Sequence, residues 1–449
     1  MNHSQRKISP ARRAAFEALR RVEDEGAYSS VLLAQPDEAL SARDRALCHE
    51  LTLGVLRWQL WLDKLAEHYS GRAADAMDAE VRRALRLGLY QVRFLERVPA
   101  SAAVNEAVNL VYAGRKRGAA GFVNAVLRRA VREKDFDPAE GIENPAERLA
   151  VRTSHPVWLI ENWVRQFGFE LTAAFAEANN SAPPLVFRLG RVGRDCLAAL
   201  RESGALLTPA PLAPDSWLID KMTPQARELA AEGWIYWQDE ASQLVAHALE
   251  AQPGERILDL CAAPGSKTTH IAALQPAAEI VACDVHEHRL RLVREAAARQ
   301  GLTNIETRRL DATPPLPFPP ESFGRVLVDA PCSGTGTLRR NPEIRWRITD
   351  ADIRQLARQQ ATLLQRAAQM VKPGGRLVYA TCSVERAENE EVLREFYATH
   401  LQFQPVAPNV PTRLHTAPGQ ARVWPQRDGA DGFFLAVFDK KTEGAKRSA

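Results

Sequence analysis

The stretch RILDLCAAPGSKTTHIAAL (256–274) decides the fold. Ile257 and Leu258 run into Asp259, a loop of small residues follows, and from Lys267 onward the apolar residues return at helical spacing. A short apolar strand that enters a helix through such a loop is the opening unit of a parallel α/β sheet. The loop lets a ligand approach the backbone N–H groups at the helix start. Toward the C-terminus the same texture repeats. Strand-like runs occur at EIVACD (279–284), NIETRRL (304–310), GRVLVDA (324–330), RLVYATC (376–382) and FFLAVFD (433–439). Helical patterns such as HRLRLVREAAARQ (288–300) and DIRQLARQQATLLQRAAQM (352–370) lie between them. Short apolar strands alternating with helices predict a Rossmann-like α/β domain over 234–441, with a mostly parallel sheet covered on both faces.

Ligands of such sheets sit at the carboxyl ends of the strands. A phosphate loop of the G-x-x-x-x-G-K-[ST] kind fits Lys267-Thr268, but its two glycines are replaced by Cys261 and Ser266. No G-x-G-x-x-G fingerprint is present at this turn. Acids fall instead at successive strand ends: Asp284, placed to accept hydrogen bonds from a ribose diol, then Asp311 and Asp329. A lone Asp there is a cap or turn former, but three around one small-residue loop point to a nucleoside-type ligand. The fourth run continues as DAPCSGTG (329–336), whose glycines leave room for something planar, and the fifth ends YATCS (379–383). An acidic run, Glu388 to Glu391, follows. Adjacent strands would bring Cys332 and Cys382 to one edge, where small-residue turns suit thiolate chemistry. The other cysteines read as buried hydrophobes or, for Cys261, as part of the loop.

The 449 residues are 45% apolar and 25% charged, the balance of a soluble multidomain protein. Mean hydropathy is −0.29. No stretch approaches the roughly 18–20 apolar residues of a membrane helix. The opening MNHSQRKISPARRAAFEAL lacks the apolar segment of a secretory signal, so a cytoplasmic location is expected. The six cysteines form no C-x-x-C pair, which argues against a metal. Residues 1–134 carry 23 Lys+Arg against 16 Asp+Glu, whereas the remainder is slightly acidic. That N-terminal third reads as about seven short helices, with Arg115, Lys116 and Arg117 before a turn and Arg128, Arg129 and Arg132 on the helix beyond it.

Residues 85–129, with their AVNEAV…GFVNAVLR core, resemble the NusB-type antitermination domain, a helical RNA-binding module. The expected domain order is a NusB-like bundle at 1–140, a linker and small α+β segment at 141–233, the catalytic domain at 234–441 and a polar tail at 442–449.

A nucleoside-type cofactor beside two thiols suits one reaction well. Carbon 5 of a pyrimidine is a poor nucleophile until a thiolate adds at carbon 6 and turns the ring into an enamine. DAPCSGTG and ATCSVE…ENE together resemble the S-adenosylmethionine-dependent RNA cytosine-5 methyltransferases of the NOL1/NOP2/Sun class. With the NusB-like module, the chain resembles the bacterial ribosomal RNA small subunit methyltransferase B (Sun/Fmu) family. That resemblance implies methylation of cytosine 967 of 16S ribosomal RNA; a monomer is expected. It makes Cys382 the nucleophile and Cys332 the thiol of product release, and places Asp329 near ring N3. Cys261, Ala262, Ala263, Pro264, Gly265, Ser266 and Lys267, with Asp284, Asp311 and Asp329, would hold S-adenosylmethionine. Ser266 stands where the family usually has glycine. Arg339, Arg340 and Arg345 fall in what resembles a substrate-side loop, and would join Arg115, Lys116, Arg117, Arg128 and Arg129 as RNA contacts. Transfer RNA, another ribosomal site, or a non-catalytic assembly role are the alternatives.

Overall fold

The structure is a computed structural model that describes residues 8–34, 40–114, 116–191, 193 and 195–442. Arg115 and residues 443–449 of the expected tail lie outside them. The chain divides into two units, 1–182 with 338–347, and 183–337 with 348–449.

The first unit is helical. Seven α-helices among the described residues, Pro10–Asp24, Ser29–Ala34, Ala42–Arg57, Gln59–Ser70, Ala79–Phe94, Ala100–Ala113 and Ala120–Arg132, build the expected bundle. Their starts follow local chemistry: Pro10 occupies the first turn, where no N–H is needed, and Ser41 and Asp78 cap the helices that follow them. Leu51, Val55, Leu62, Leu65, Leu85 and Leu127 close the core, each fully buried. Gly54 is required, because a Cβ there would lie 2.0 Å from the Tyr90 ring. Part of the basic charge is internal: Arg86 is buried against Asp63 and Glu23, and Arg83 against Glu23 and Asp24.

Two expectations change here. Within the segment 141–233, helices Pro145–Thr153, Val157–Phe167 and Phe169–Ala178 belong to the helical unit, while the strands after Pro183 belong to the other. Trp163, with no exposure, is core and packs edge-on to Phe175. The second change concerns 338–347, expected on the RNA side of the catalytic domain. It is instead part of the helical unit. Ser29 donates its N–H and hydroxyl to Glu343, at 2.8 and 2.9 Å. The Trp346 indole donates to the Leu56 carbonyl at 2.7 Å, and Arg347 donates to the carbonyls of Val22, Gly26 and Ala27. Arg345 has no exposure and donates to Ser154 O and Asn180 Oδ1 at 3.0 and 3.1 Å.

The second unit holds two sheets. The smaller, antiparallel one consists of β1 (Leu185–Leu189), β2 (Leu207–Pro209), β3 (Ser216–Ile219) and β4 (Ile235–Trp237), in the order β2-β3-β1-β4. The larger contains β5 (Arg256–Asp259), β6 (Glu279–Asp284), β7 (Ile305–Arg309), β8 (Phe323–Asp329) and β9 (Val371–Thr381) as a parallel core ordered β7-β6-β5-β8-β9. Antiparallel strands extend it: β10 (Phe403–Pro405), β11 (His415–Ala417), β12 (Gln420–Val423) and β13 (Phe433–Lys440), with β13 against β9. One face packs on helices Asp350–Met370 and Glu390–Thr399 through Leu363, Leu364, Leu393 and Phe396. The other packs on Glu240–Leu249 and Ser266–Leu274 through Leu244, Val245 and Ile271. Each fully buried Leu or Phe contributes about 1.5–3 kcal/mol. Strand order reverses between β5 and β8, which puts the ligand crevice at their carboxyl ends. Among the described residues no helix is long and apolar enough to cross a membrane.

Burial, and then the charge of Arg57, pull the Arg345 guanidinium down to about 9. Its hydrogen bonds to buried oxygens offset that cost. Arg345→Ala leaves those oxygens unpaired and should destabilise the helical unit by about 3 kcal/mol, measured by thermal unfolding of the full chain.

Candidate active site

The parallel pairing of β8 and β9 sets Asp329 opposite Ala380. The chain then turns on both strands, and Cys332 and Cys382 meet with their sulfurs 3.3 Å apart. The turn after Cys332 is closed by backbone. Gly336 donates its N–H to the Cys382 carbonyl at 2.9 Å, and its carbonyl accepts from Gly432 at 2.8 Å. A Cβ on Gly336 would lie 2.0 Å from the Gly432 oxygen. This glycine therefore makes room for another strand of chain, not for the planar ligand expected.

Both thiols line a cleft of about 590 Å³ at the ends of β5, β6 and β8. Asp284, Asp311 and Asp329 line it too, so the structure brings the three expected acids together. Of the small-residue loop, Cys261, Ala263 and Lys267 face the cleft. Ala262 spends its N–H on the Cys283 carbonyl at 2.8 Å. Gly265 takes φ +105° and lies against Val293, where a Cβ would come within 3.0 Å. Ser266 begins the helix, so the left-handed turn rests on Gly265 and serine at 266 meets no strain. Asp284 Oδ1 accepts the His286 N–H at 2.9 Å, and Oδ2 lies 3.3 Å from Arg289. Asp311 is exposed, and its carboxylate is lowered by the hydroxyl and N–H of Thr313. Val285, Leu310 and Leu363 supply apolar walls. A carboxylate at the second strand end, small residues at the turn and apolar walls are a donor set that fits a nucleoside with a charged tail.

The charges are arranged in pairs and singles. Lys267 Nζ lies 2.6 Å from Asp329 Oδ2. Burial would lower the lysine, but Asp329 outweighs it and the ammonium is held above its ordinary value. Asp259 sits beneath the loop without exposure, accepting the Thr268 hydroxyl at 2.7 Å, and burial pushes it up to about 7. Cys332 is pushed well up by its hydrogen bond with Cys382 and by burial, and the Glu388 charge adds to the shift. Arg188 on β1 is buried with neutral partners, donating to Gln238, Gln300 and Thr269 at 2.8, 3.1 and 2.9 Å. It thereby ties the smaller sheet to the helix that begins at Ser266. Its single-residue code is an arginine in an apolar strand, LVFRL (185–189), a signal the sequence reading passed over. His286 and Arg289 were missed likewise, although they follow Asp284 by two and five positions.

The expected RNA contacts divide. Arg117 and Arg128 are exposed. Lys116 pairs with Asp78 at 2.7 Å and Arg129 with Glu133 at 2.9 Å. Arg340 is half-buried, while Arg339 and Arg345 are buried, so as placed these two do not offer their guanidinium groups to an RNA.

A β7-β6-β5-β8-β9 parallel core with acids converging on its switch point is the fold of the Rossmann-like methyltransferases, whose methyl donor is of the S-adenosylmethionine type. Residues 246–439 match the family described as 16S rRNA methyltransferase RsmB/F, residues 9–132 the NusB family, and residues 155–225 a ferredoxin-like domain of RsmF/B-like methyltransferases. A probable ribosomal RNA small subunit methyltransferase B of Bacillus subtilis is 36% identical, covering 97% of this chain and 100% of its own. The ribosomal RNA small subunit methyltransferase B of Salmonella paratyphi B is also 36% identical, over 97% of this chain and 100% of its own. Among solved structures, PH0851 superposes with a TM-score of 0.82 at 28% identity, over 98% of this chain and 100% of that one. The chain belongs to the ribosomal RNA small subunit methyltransferase B family.

Asp259 keeps its proton in the folded protein up to about pH 7, whereas the unfolded chain loses it near 4. Folding therefore binds a proton between those values, and this group's contribution to stability falls as pH rises through that window. Asp259→Asn should shrink the difference in melting temperature between pH 5 and pH 8, read by calorimetry on both proteins.

Proposed function

We propose that the protein methylates carbon 5 of one cytosine in 16S ribosomal RNA, with Cys382 as the nucleophile at carbon 6. The observation that carries this reading is the pair of thiols 3.3 Å apart on the cleft that also holds Lys267 and Asp329. The relatives' names supply the substrate class.

S-Adenosylmethionine, when bound, supplies an electrophilic methyl group. Asp284 takes the ribose diol, and the turn from Cys261 to Lys267, with Ala262, Ala263, Pro264, Gly265 and Ser266, shapes the floor beneath the donor. Asp311 sits at the outer edge. Cys382 adds to carbon 6 and moves the ring's electron pair toward carbon 5. The proton shared by Lys267 and Asp329 is offered to ring N3, offsetting the negative charge that addition places there. After carbon 5 has been methylated and has lost its proton to a base, the carbon 6–sulfur bond breaks and the ring double bond re-forms. The Cys332 S–H, facing the Cys382 sulfur, stabilises the departing thiolate. RNA is gripped by exposed cations of the helical unit, Arg117 and Arg128 foremost, with Lys116, Arg129 and Arg340 at their margins. The enzyme acts as a monomer in the cytoplasm and uses no metal.

The test is transfer of labelled methyl groups to unmodified 16S ribosomal RNA and to transfer RNA, with the product mapped to the base and atom. One labelled cytosine in the ribosomal RNA is expected. Cys382→Ala should abolish label while cofactor binding persists, and Cys332→Ala should accumulate a protein–RNA adduct that survives denaturant. Label confined to transfer RNA overturns the substrate; normal turnover by Cys332→Ala overturns the two-thiol account. RNA affinity should fall about tenfold or more between 50 and 200 mM salt, and Arg117→Ala with Arg128→Ala should flatten that slope, measured by filter binding.

A further inference from the structure

Behind the two cysteine turns lies a carboxylate that the reaction above does not use. Glu388 has no exposure, yet among the described residues no arginine or lysine donates to it. Its two oxygens accept from one backbone N–H, two hydroxyls and one amide. Ser333 donates its N–H at 2.8 Å and its hydroxyl as well. Ser383 donates its hydroxyl, and Gln360 its side-chain amide at 2.9 Å. Ser333 is the residue after Cys332, and Ser383 the residue after Cys382. One carboxylate thus joins the two turns at equivalent places. Glu388 is itself held, since its carbonyl accepts the Tyr379 hydroxyl at 2.5 Å. Gln360 also donates to the Pro331 carbonyl at 2.9 Å, fixing the Cys332 turn from its other end.

We propose that Glu388 is a positioning residue that clamps the turns of Cys332 and Cys382 together and makes the two thiols chemically unequal. The turns are otherwise joined by the Gly336–Cys382 backbone bond, by the Ser383 hydroxyl against those of Ser333 and Thr335 at 3.1 and 3.3 Å, and by the Val384 N–H on the Thr335 hydroxyl at 3.2 Å. Among the described residues Glu388 is the one carboxylate that accepts from the residue after each cysteine. With it, a buried negative charge stands behind the Cys332 turn, where it opposes ionisation of that thiol and keeps its S–H as a donor. On the open side the Lys267 ammonium acts on Cys382. Cys332 is thereby held as the S–H donor, and Cys382 is the sulfur that shares the cleft with Lys267. A buried carboxylate with only neutral donors is costly unless every lone pair is satisfied, and here four donors meet two oxygens.

The catalytic consequence rests on the two-thiol reading above; the inequality of the thiols does not, and alkylation tests it without RNA. Full-length protein is treated with limiting iodoacetamide, and the Cys332 and Cys382 peptides are quantified by mass spectrometry, since labelling follows the thiolate fraction. The native protein should label Cys382 in preference to Cys332. Glu388→Gln keeps the shape but removes the charge. It should shift the ratio toward Cys332 by about threefold or more and lower kcat about tenfold, with KM for RNA and cofactor within about twofold. Where Glu388→Gln does not fold, Ser333→Ala and Ser383→Ala each delete one donor and should move both readouts in the same direction by less. An unchanged labelling ratio with kcat within about twofold overturns the proposal. A shifted ratio with label mapped away from carbon 5 supports the role of Glu388 and overturns the cytosine reading instead.

Discussion

The parallel register of β8 with β9, Asp329 opposite Ala380, is the constraint on which the rest of the catalytic unit depends. Hydrogen bonding along two parallel strands fixes where each ends, and the side chains beyond those ends have no freedom to slide. Cys332 and Cys382 meet because the last register pair, Asp329 and Ala380, is followed by Ala-Pro-Cys on one chain segment and by Thr-Cys on the other. A slip of one residue would turn each strand over, send Tyr379 and Val378 to the wrong faces, and separate the sulfurs. The buried surface of the sheet therefore protects a distance between two atoms at its edge. Backbone contacts at Gly336 and Gly432 and the carboxylate of Glu388 act on a geometry that the sheet has already narrowed to one register.

Electrostatics in the cleft follow from what each charge is allowed to see. Lys267 has one carboxylate within ion-pair distance, Asp329, and the pair faces the site. Asp259, at the end of β5, is pushed up to about 7 by burial, which outweighs the Thr268 hydroxyl and the Lys267 charge, and it serves as scaffold beneath the loop. Arg188 reaches the same loop from the smaller sheet and finds only neutral acceptors. The Arg188 side chain thus couples the smaller sheet to the turn after β5, which gives that sheet a part in the site although none of its strands lines the cleft.

How much of this was legible in sequence depends on the range of the interaction. Apolar strands announce themselves, and all six runs proposed from alternation with helices are strands, with β9 beginning five residues before its expected start and the polar β7 found only through its place between helices. The short strands β10 to β12 passed unnoticed, because three or four residues at an edge leave no period to detect. Strand-end acids and paired thiols were readable because the chemistry demands those residue types at sheet ends. The α+β character of the middle segment was legible, but not that its helices join the helical unit, because local composition does not report which core an apolar face joins. Arg345 looked like an RNA contact for a related reason: an arginine beside a tryptophan near a catalytic turn has the same local code whether it grips phosphate or carbonyl oxygens of its own chain. Only the partners Ser154 and Asn180, more than a hundred positions away, decide it.

The decapeptide 338–347 bears on modularity. The helical unit is completed by residues encoded far downstream, after the first catalytic thiol, so its gene segment is not a self-contained cassette. A chain cut after Ala182 would keep every helix of the bundle. It would still leave the Ser29 amide, the Leu56 carbonyl and the Ser154 carbonyl facing an empty groove. Exchange of this unit between enzymes by simple end-to-end fusion is correspondingly obstructed. The two parts of the helical unit must change as a matched pair, although residues 183–337 of the sequence separate them.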